Sequence, residues 1–281
     1  MTPAALRAIA TRWLAEHRPA IDVSVFEHRG SVPRQTGTHM LVSAVEVAGT
    51  IGGGHLELRT IAQARQLLAE LDTAQALAPV DQHYALGPSL GQCCGGSLTL
   101  RHRLLSPASL AAWPITPPRF TLQLHGAGHV GRAIVKLLAD IDCQVSWIDE
   151  RNSEFPVDRS HLPPHIDIVT SDTPEADVAD AAPGSVYLVL THSHDLDLRI
   201  TEAILRRGDF AWLGLIGSAT KRARFVHRFE QRGITPEQVA RITCPIGLPG
   251  IEGKEPAVIA VAVVAQLLGL QTRASHENLL V

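Results

Sequence analysis

Leu124-His125-Gly126-Ala127-Gly128-His129-Val130-Gly131 joins an apolar run, Phe120 to Leu124, to an amphipathic one, Val130 to Leu138. Strand, glycine turn and helix follow in that order, and the turn contains G-x-G-x-x-G. Each glycine has a physical task. Gly126 turns the chain tightly, Gly128 lets backbone approach a phosphate, and Gly131 lets the helix lie close on the strand. The helix start offers free N–H groups and a positive dipole end to an anion. The next apolar run, Gln144 to Ile148, ends at Asp149. That is about 18 residues past Gly131, near the roughly 20 at which an acid accepts from a ribose hydroxyl. The pattern predicts a Rossmann-like unit with a phosphate-bearing ligand, and it does not single out NAD. A glycine turn without a ligand is the bland alternative.

Downstream of this turn the pattern keeps alternating. Strands are predicted at 120–125, 144–149, 166–170, 185–191 and 211–217, and helices at 129–139, 174–181, 196–206, 218–232 and 255–269. Such alternation implies a parallel sheet with helices on both faces. Ligands of these sheets bind beyond the carboxyl ends of the strands. His125 to Gly131, Asp149-Glu150, Thr191 to Asp197 and Gly217 to Arg222 therefore share one rim.

Upstream the pattern is different. Thr2-Pro3 is a helix start, followed by Leu6, Ile9, Ala10, Trp13 and Leu14 at helical spacing. Ile21, Val23 and Val25 alternate as in a half-buried strand, and a hairpin-like pair spans 40–44 and 46–50. Two glycine-rich loops stand out: Gly52-Gly53-Gly54 before a helix, and Gly87 to Gly96, which carries Cys93 and Cys94. Pro107, Pro114, Pro117 and Pro118 mark 106–118 as a proline-rich linker. The expected organisation is an N-terminal α+β domain, 1–105, and a C-terminal Rossmann-like domain, 119–281.

Composition narrows the classes of function. The chain has 281 residues, 25 Lys plus Arg against 28 Asp plus Glu, and a net charge of −3, so no basic excess attracts nucleic acid. Arg7, Arg12, Glu16 and Arg18 interrupt the first apolar segment, unlike a signal peptide. The longest apolar run, 257–270, is short for a membrane span. Cys93, Cys94, Cys143 and Cys244 form no C-x-x-C, which argues against a zinc site and for free thiols in a cytoplasmic protein.

Three further constellations carry chemistry beside bland readings. A thiol in the Cys93-Cys94-Gly95-Gly96 loop can ligate a soft metal or hold a cofactor, or it can be a buried turn residue. His192, His194 and Asp197 can serve as metal ligands or acid–base groups, or the segment can be a helix start capped by Asp195. Ser218 reads as an N-cap, with Lys221 and Arg222 in a first turn where an anion would relieve them, or as a solvated basic face. Cys143 reads as core.

Taken together, Gly30-Ser31-Val32-Pro33-Arg34, Gly49 to Glu57, Cys94-Gly95-Gly96, His125 to Gly131, Thr191 to Asp197, Gly214 to Ser218 and Cys244 to Gly247 resemble the XdhC/CoxI family of xanthine dehydrogenase accessory proteins. The likeness runs from about residue 24 to 270. It implies an accessory factor rather than an enzyme: a chaperone that binds the molybdenum cofactor (molybdopterin) as cargo and protects it. It also implies partnership with a cysteine desulfurase that sulfurates the metal, and delivery to xanthine dehydrogenase in purine catabolism, with a homo-oligomer allowed. The family's CGG cysteine matches Cys94, with Cys93 an added neighbour, and Cys94 would face the cofactor's molybdenum. Cys93, Gly126, Gly128, Gly131, Asp149, His192 and Ser218 complete the expected cofactor contacts. The alternative is an NAD(P)-dependent oxidoreductase that uses the Rossmann domain.

Overall fold

The structure, a computed structural model, describes residues 1–70, 78–86 and 95–277. Cys93 and Cys94 lie outside the described residues. Two compact units divide the chain, Met1–Thr116 and Pro117–Val281.

Unit 1 opens with α1 (Pro3–Ala15), where Thr2 Oγ1 accepts the Ala5 amide at 3.1 Å. Then come β1 (Ala20–Arg29), β2 (His39–Ser43), β3 (Val47–Gly49), α2 (Gly54–Ala69), β4 (Val80–Ala85), β5 (Ser97–Leu104) and α3 (Pro107–Ala111). The strands form one antiparallel sheet in the order β3-β2-β1-β5-β4. Strand alternation sends Ile21, Val23, Met40, Val42, Leu98 and Leu100 into a core with Leu56 and Ala64 of α2. Ala20 and Leu41 go to the other face, with Leu6, Ala10 and Trp13 of α1.

The segment 106–113 is not a free linker. Ser106 caps α3 in a reciprocal box with Ser109, and Pro107 fills the first helical turn, where its missing N–H costs nothing. Arg7 donates to the carbonyls of Leu110 and Trp113. The fully buried Asp22 carboxylate accepts from His39 Nδ1 (2.8 Å), Arg103 Nε (2.8 Å) and Trp113 Nε1 (2.9 Å). A buried carboxylate requires such partners, so this network fastens 106–113 to β1.

Unit 2 contains β6 (Thr121–His125), α4 (His129–Leu138), β7 (Gln144–Asp149), β8 (Ile166–Thr170), β9 (Val186–Val189), α5 (His194–Arg207), β10 (Trp212–Leu215), α6 (Ala219–Gln231), α7 (Pro236–Ala240), β11 (Ile242–Thr243) and α8 (Pro256–Glu277). All pairings are parallel, in the order β11-β10-β9-β6-β7-β8. This is the doubly wound Rossmann arrangement, and its order reverses between β6 and β9. One face packs Leu122, Leu124, Val145 and Trp147 against Ile134 of α4 and Val263 and Leu267 of α8. The other packs Tyr187, Val189, Leu213 and Leu215 against α5 and α6 through Leu198, Ile204, Phe225 and Phe229.

The helix expected over 174–181 is only a 3-10 turn at Asp177–Asp180. Its carbonyls go to side chains instead. Gln123 Nε2 donates to Asp177 O (2.8 Å), Tyr187 Oη to Val178 O (3.3 Å), and Arg207 to the carbonyls of Val178, Ala179 and Ala181. The short α7 and β11 were not anticipated. Gln266, the polar residue within apolar α8, accepts the Gly247 amide at 2.8 Å and so anchors the loop after β11. Among the described residues, no helix is long and apolar enough to cross a membrane.

Candidate functional site

The carboxyl ends of the unit 2 strands bring the predicted rim together. At the glycine turn, Gly126 has φ +127°, and a Cβ there would lie 2.4 Å from the Leu190 carbonyl oxygen. A Cβ on Gly131 would lie 2.1 Å from the Gly126 carbonyl oxygen. Both positions require glycine for backbone packing at the crossing of α4 over β6 and β9. Gly128 is different: a Cβ there meets nothing within 4 Å. It is the N-cap of α4, and no side chain caps that helix. The first turn of α4 therefore starts without a side-chain cap, at a helix start of the kind that receives anions. Trp147 Nε1 donates to Gly126 O at 3.1 Å and holds the turn from below.

Asp149 ends β7 beside this turn, almost fully buried. Its Oδ2 accepts from Ala127 N (2.7 Å) and Arg151 Nη2 (3.0 Å), and its Oδ1 accepts from Arg151 N (2.9 Å) and Nε (3.0 Å). Burial raises the carboxyl pKa, but the Arg151 guanidinium and the two amides outweigh it and hold the group below the usual carboxylate range. The acid thus braces the turn and holds an arginine at the rim.

His192 follows β9, part exposed, with Nε2 3.3 Å from Glu150 Oε1. The N-cap of α5 is Ser193, whose Oγ accepts the Leu196 amide, and not Asp195, which lies in the first turn with Asp197. Asp197 is not available to a metal. Its Oδ1 accepts from the Thr191 amide (2.9 Å) and hydroxyl (2.7 Å), and its Oδ2 pairs with Lys221 Nζ at 2.5 Å. Lys221 also donates to Ile216 O at 2.8 Å and is only 10% exposed. It is therefore neither a solvated surface cation nor a free anion ligand, but a buried strut between the β9 and β10 loops. Ser218 caps α6 through the Lys221 amide at 3.3 Å. No group of three or more His, Cys, Asp or Glu placed to hold a metal occurs among the described residues.

Cys244 was not singled out as a site residue. It follows β11, with Sγ 3.6 Å from Gly217 O and 3.9 Å from Ser218 O. Burial pushes its thiol pKa up, against the opposing pull of Lys221 and Arg222. Cys143 is core as expected, its thiol pushed up to about 12 by burial.

In unit 1 the sequence motifs converge. A Cβ on Gly96 would lie 2.5 Å from Arg29 O and 2.4 Å from Ser31 O, and one on Gly52 would lie 2.6 Å from the Pro33 ring. The Gly30–Arg34, Gly52–Gly54 and Gly95-Gly96 segments thus pack on one another through glycines. Nothing in their sequence separation announces that contact.

The XdhC Rossmann domain signature matches residues 122–267, more than half of the chain. The chain belongs to the XdhC family. The match begins in β6 and ends in α8, so it takes in every rim loop of unit 2. The signature of the XdhC and CoxI family matches residues 13–77. YqeB, an uncharacterized protein of Escherichia coli strain K12, is 29% identical over 274 residues, 92% of this chain. The chain spans 46% of that relative's length. A crystal structure described as a xanthine dehydrogenase from Bacillus halodurans superposes with a TM-score of 0.74 at 18% identity, covering 96% of each chain. At that identity the likeness establishes a shared fold.

Proposed function

We propose that this XdhC-family chain is an accessory factor that binds the molybdopterin form of the molybdenum cofactor as cargo. It protects the cofactor, presents it to a cysteine desulfurase and passes it to xanthine dehydrogenase. The observation that carries this reading is the uncapped start of α4 at Gly128, open to a phosphate, beside an Asp149 already saturated by Ala127 and Arg151. A ribose hydroxyl would have to compete with four donors on that carboxylate, whereas a phosphate needs only the turn. Cys94 is the thiol proposed to meet the metal, which suits a soft sulfur ligand. His192 and Ser218 border the same rim and are proposed as further cofactor contacts.

One observation favours the second reading, an NADP-dependent oxidoreductase. Arg151 stands where a ribose 2′-phosphate is accommodated in such enzymes. A single experiment separates the two. The purified chain is incubated with molybdopterin and desalted, and the co-eluting pterin is oxidised and measured by fluorescence, in parallel with NADPH. Retained pterin supports the accessory role, and NADPH retention without pterin overturns it. Cys94→Ala with undiminished pterin retention and sulfuration would remove the thiol from the site.

A further inference from the structure

We infer that unit 2 carries a second binding site, away from the strand-end rim, for a small organic cation: a guanidinium or primary ammonium on a short apolar body. The site is a cavity of about 170 Å³ between the β6–β8 part of the sheet and the 3-10 turn at Asp177–Asp180. It shares no residue with the rim loops and does not rest on the cofactor reading of the glycine turn.

Strand alternation builds the floor. Leu122, Leu124, Val145 and Trp147 point towards α4 and α8, so Thr121, Gln123, Ser146 and Ile148 point to the opposite face. Over β9 and β10 that face is packed against α5 and α6. Beside them, the chain has only the 3-10 turn where a helix was expected. The register sets Gln123 beside Ser146, and Ile148 beside Val169. A covering helix needs an apolar floor. Two hydroxyls and an amide on this floor suit a polar ligand instead.

The donor inventory sets the sign of that ligand. Asp177 Oδ2 is fully buried and has no hydrogen-bond partner among the described residues. A buried carboxylate oxygen in that state costs free energy until a donor reaches it. The neighbouring donors are already committed. Gln123 Nε2 donates to the Asp177 backbone carbonyl at 2.8 Å, which ties the turn to the sheet and leaves the carboxylate untouched. Arg207 donates to the carbonyls of Val178, Ala179 and Ala181 and pairs with Asp209. Asp180 lines the cavity as a second acid, and no Lys, Arg or His is among the described residues that line it. Ile148, Val169 and Ala182 add apolar wall. The partner that completes Asp177 is therefore a charged N–H donor from outside the chain, in a charge-assisted hydrogen bond. At about 30 Å³ per water, the cavity holds roughly six water-sized groups, too few for a nucleotide and enough for a short amine or guanidine.

The test is titration of the full chain with ethylguanidinium chloride at constant ionic strength, followed by backbone amide NMR. Tetramethylammonium chloride serves as a cation without N–H. Asp177→Asn removes the charge and keeps the shape, and because it removes an unpartnered buried acid the fold should survive. Ser146→Leu fills the cavity from the sheet side and leaves both acids in place. Saturable shifts in wild type that include residues 177–182, at least tenfold weaker binding in both variants, and no saturable shift with tetramethylammonium are the expected result. Equal saturation by the two cations, undiminished binding in either variant, or no saturable binding in wild type, with water alone completing Asp177, would overturn the inference.

Discussion

His125, the last residue of β6, should make unit 2 labile to acid. Its ring is completely buried, with Nε2 3.3 Å from Gln123 Oε1 and Nδ1 without a partner among the described residues. Burial alone depresses its pKa from 6.5 to about 3. The folded group binds a proton less readily than the unfolded one, so stability is complete above the unfolded pKa and declines as pH falls towards about 3. At 1.36 kcal/mol per pKa unit, the loss is about 2 kcal/mol at pH 5 and about 5 kcal/mol at its limit. Against a typical total of about 5–15 kcal/mol, that is enough to dominate acid unfolding. His125→Asn keeps a donor for Gln123 and removes the titration. Urea unfolding followed by circular dichroism at pH 7.5 and pH 5 should show the variant losing about 2 kcal/mol less than wild type between the two conditions. His102, also buried with its pKa lowered mainly by burial, is present in both proteins and cancels. An identical pH dependence in the two proteins would show that His125 is hydrated or paired in solution and would refute the reasoning.

The three glycines of the turn should separate on substitution. Gly131→Ala and Gly126→Ala force a methyl into backbone oxygen at 2.1 and 2.4 Å and should each cost at least the ~1–3 kcal/mol of overpacking by urea titration. Gly128→Ala should be near neutral in stability, while Gly128→Asp should abolish pterin retention without unfolding. Asp197→Asn leaves the Lys221 ammonium buried without its counter-charge and should cost about 3–5 kcal/mol; Asp197→Asn/Lys221→Met should recover much of that loss, and no recovery would mean that the pair is not the reason. Mass mapping of maleimide adducts at pH 8 should find Cys143 unmodified in the native chain and modified in urea, because its thiol is buried and pushed up to about 12. Native labelling of Cys143 would contradict that placement.

The parts of the fold that were legible in the sequence are those fixed by near neighbours in the chain. The tasks of Gly126 and Gly131 follow from backbone crowding within one strand–turn–helix unit, and the parallel strands follow from their alternation with helices. The segment 106–113 was misread because proline marks loops and first helical turns alike. The Ser106-Pro107 pair, a cap followed by N1, was the signal for α3, but Asp22 and Trp113 are too distant in sequence for their hydrogen bond to be foreseen. Arg151 could have been noticed two residues past Asp149. That it spends its guanidinium on that carboxylate, and so alters what the rim can bind, depends on burial that no spacing reveals. The 174–181 helix failed for a similar reason, since Gln123, Tyr187 and Arg207 take the carbonyls a helix would have used.

The two glycine-rich helix starts look alike in sequence and differ in what fills them. In each, a glycine is the N-cap and no side chain makes the usual cap hydrogen bond. The difference lies at the fourth helical position. In α2 it is Glu57, whose carboxylate folds back and occupies the loop amides as an internal anion. In α4 it is Arg132, which turns away to the Glu154 carbonyl and carboxylate at 3.0 Å and brings no anion to the first turn. The sign of one side chain therefore distinguishes the two starts. The α2 loop keeps a carboxylate of its own helix on its amides, whereas the α4 turn holds only Asp149, on the Ala127 amide, and has no acid in its first turn, which is why the proposed phosphate is assigned to α4 rather than to α2.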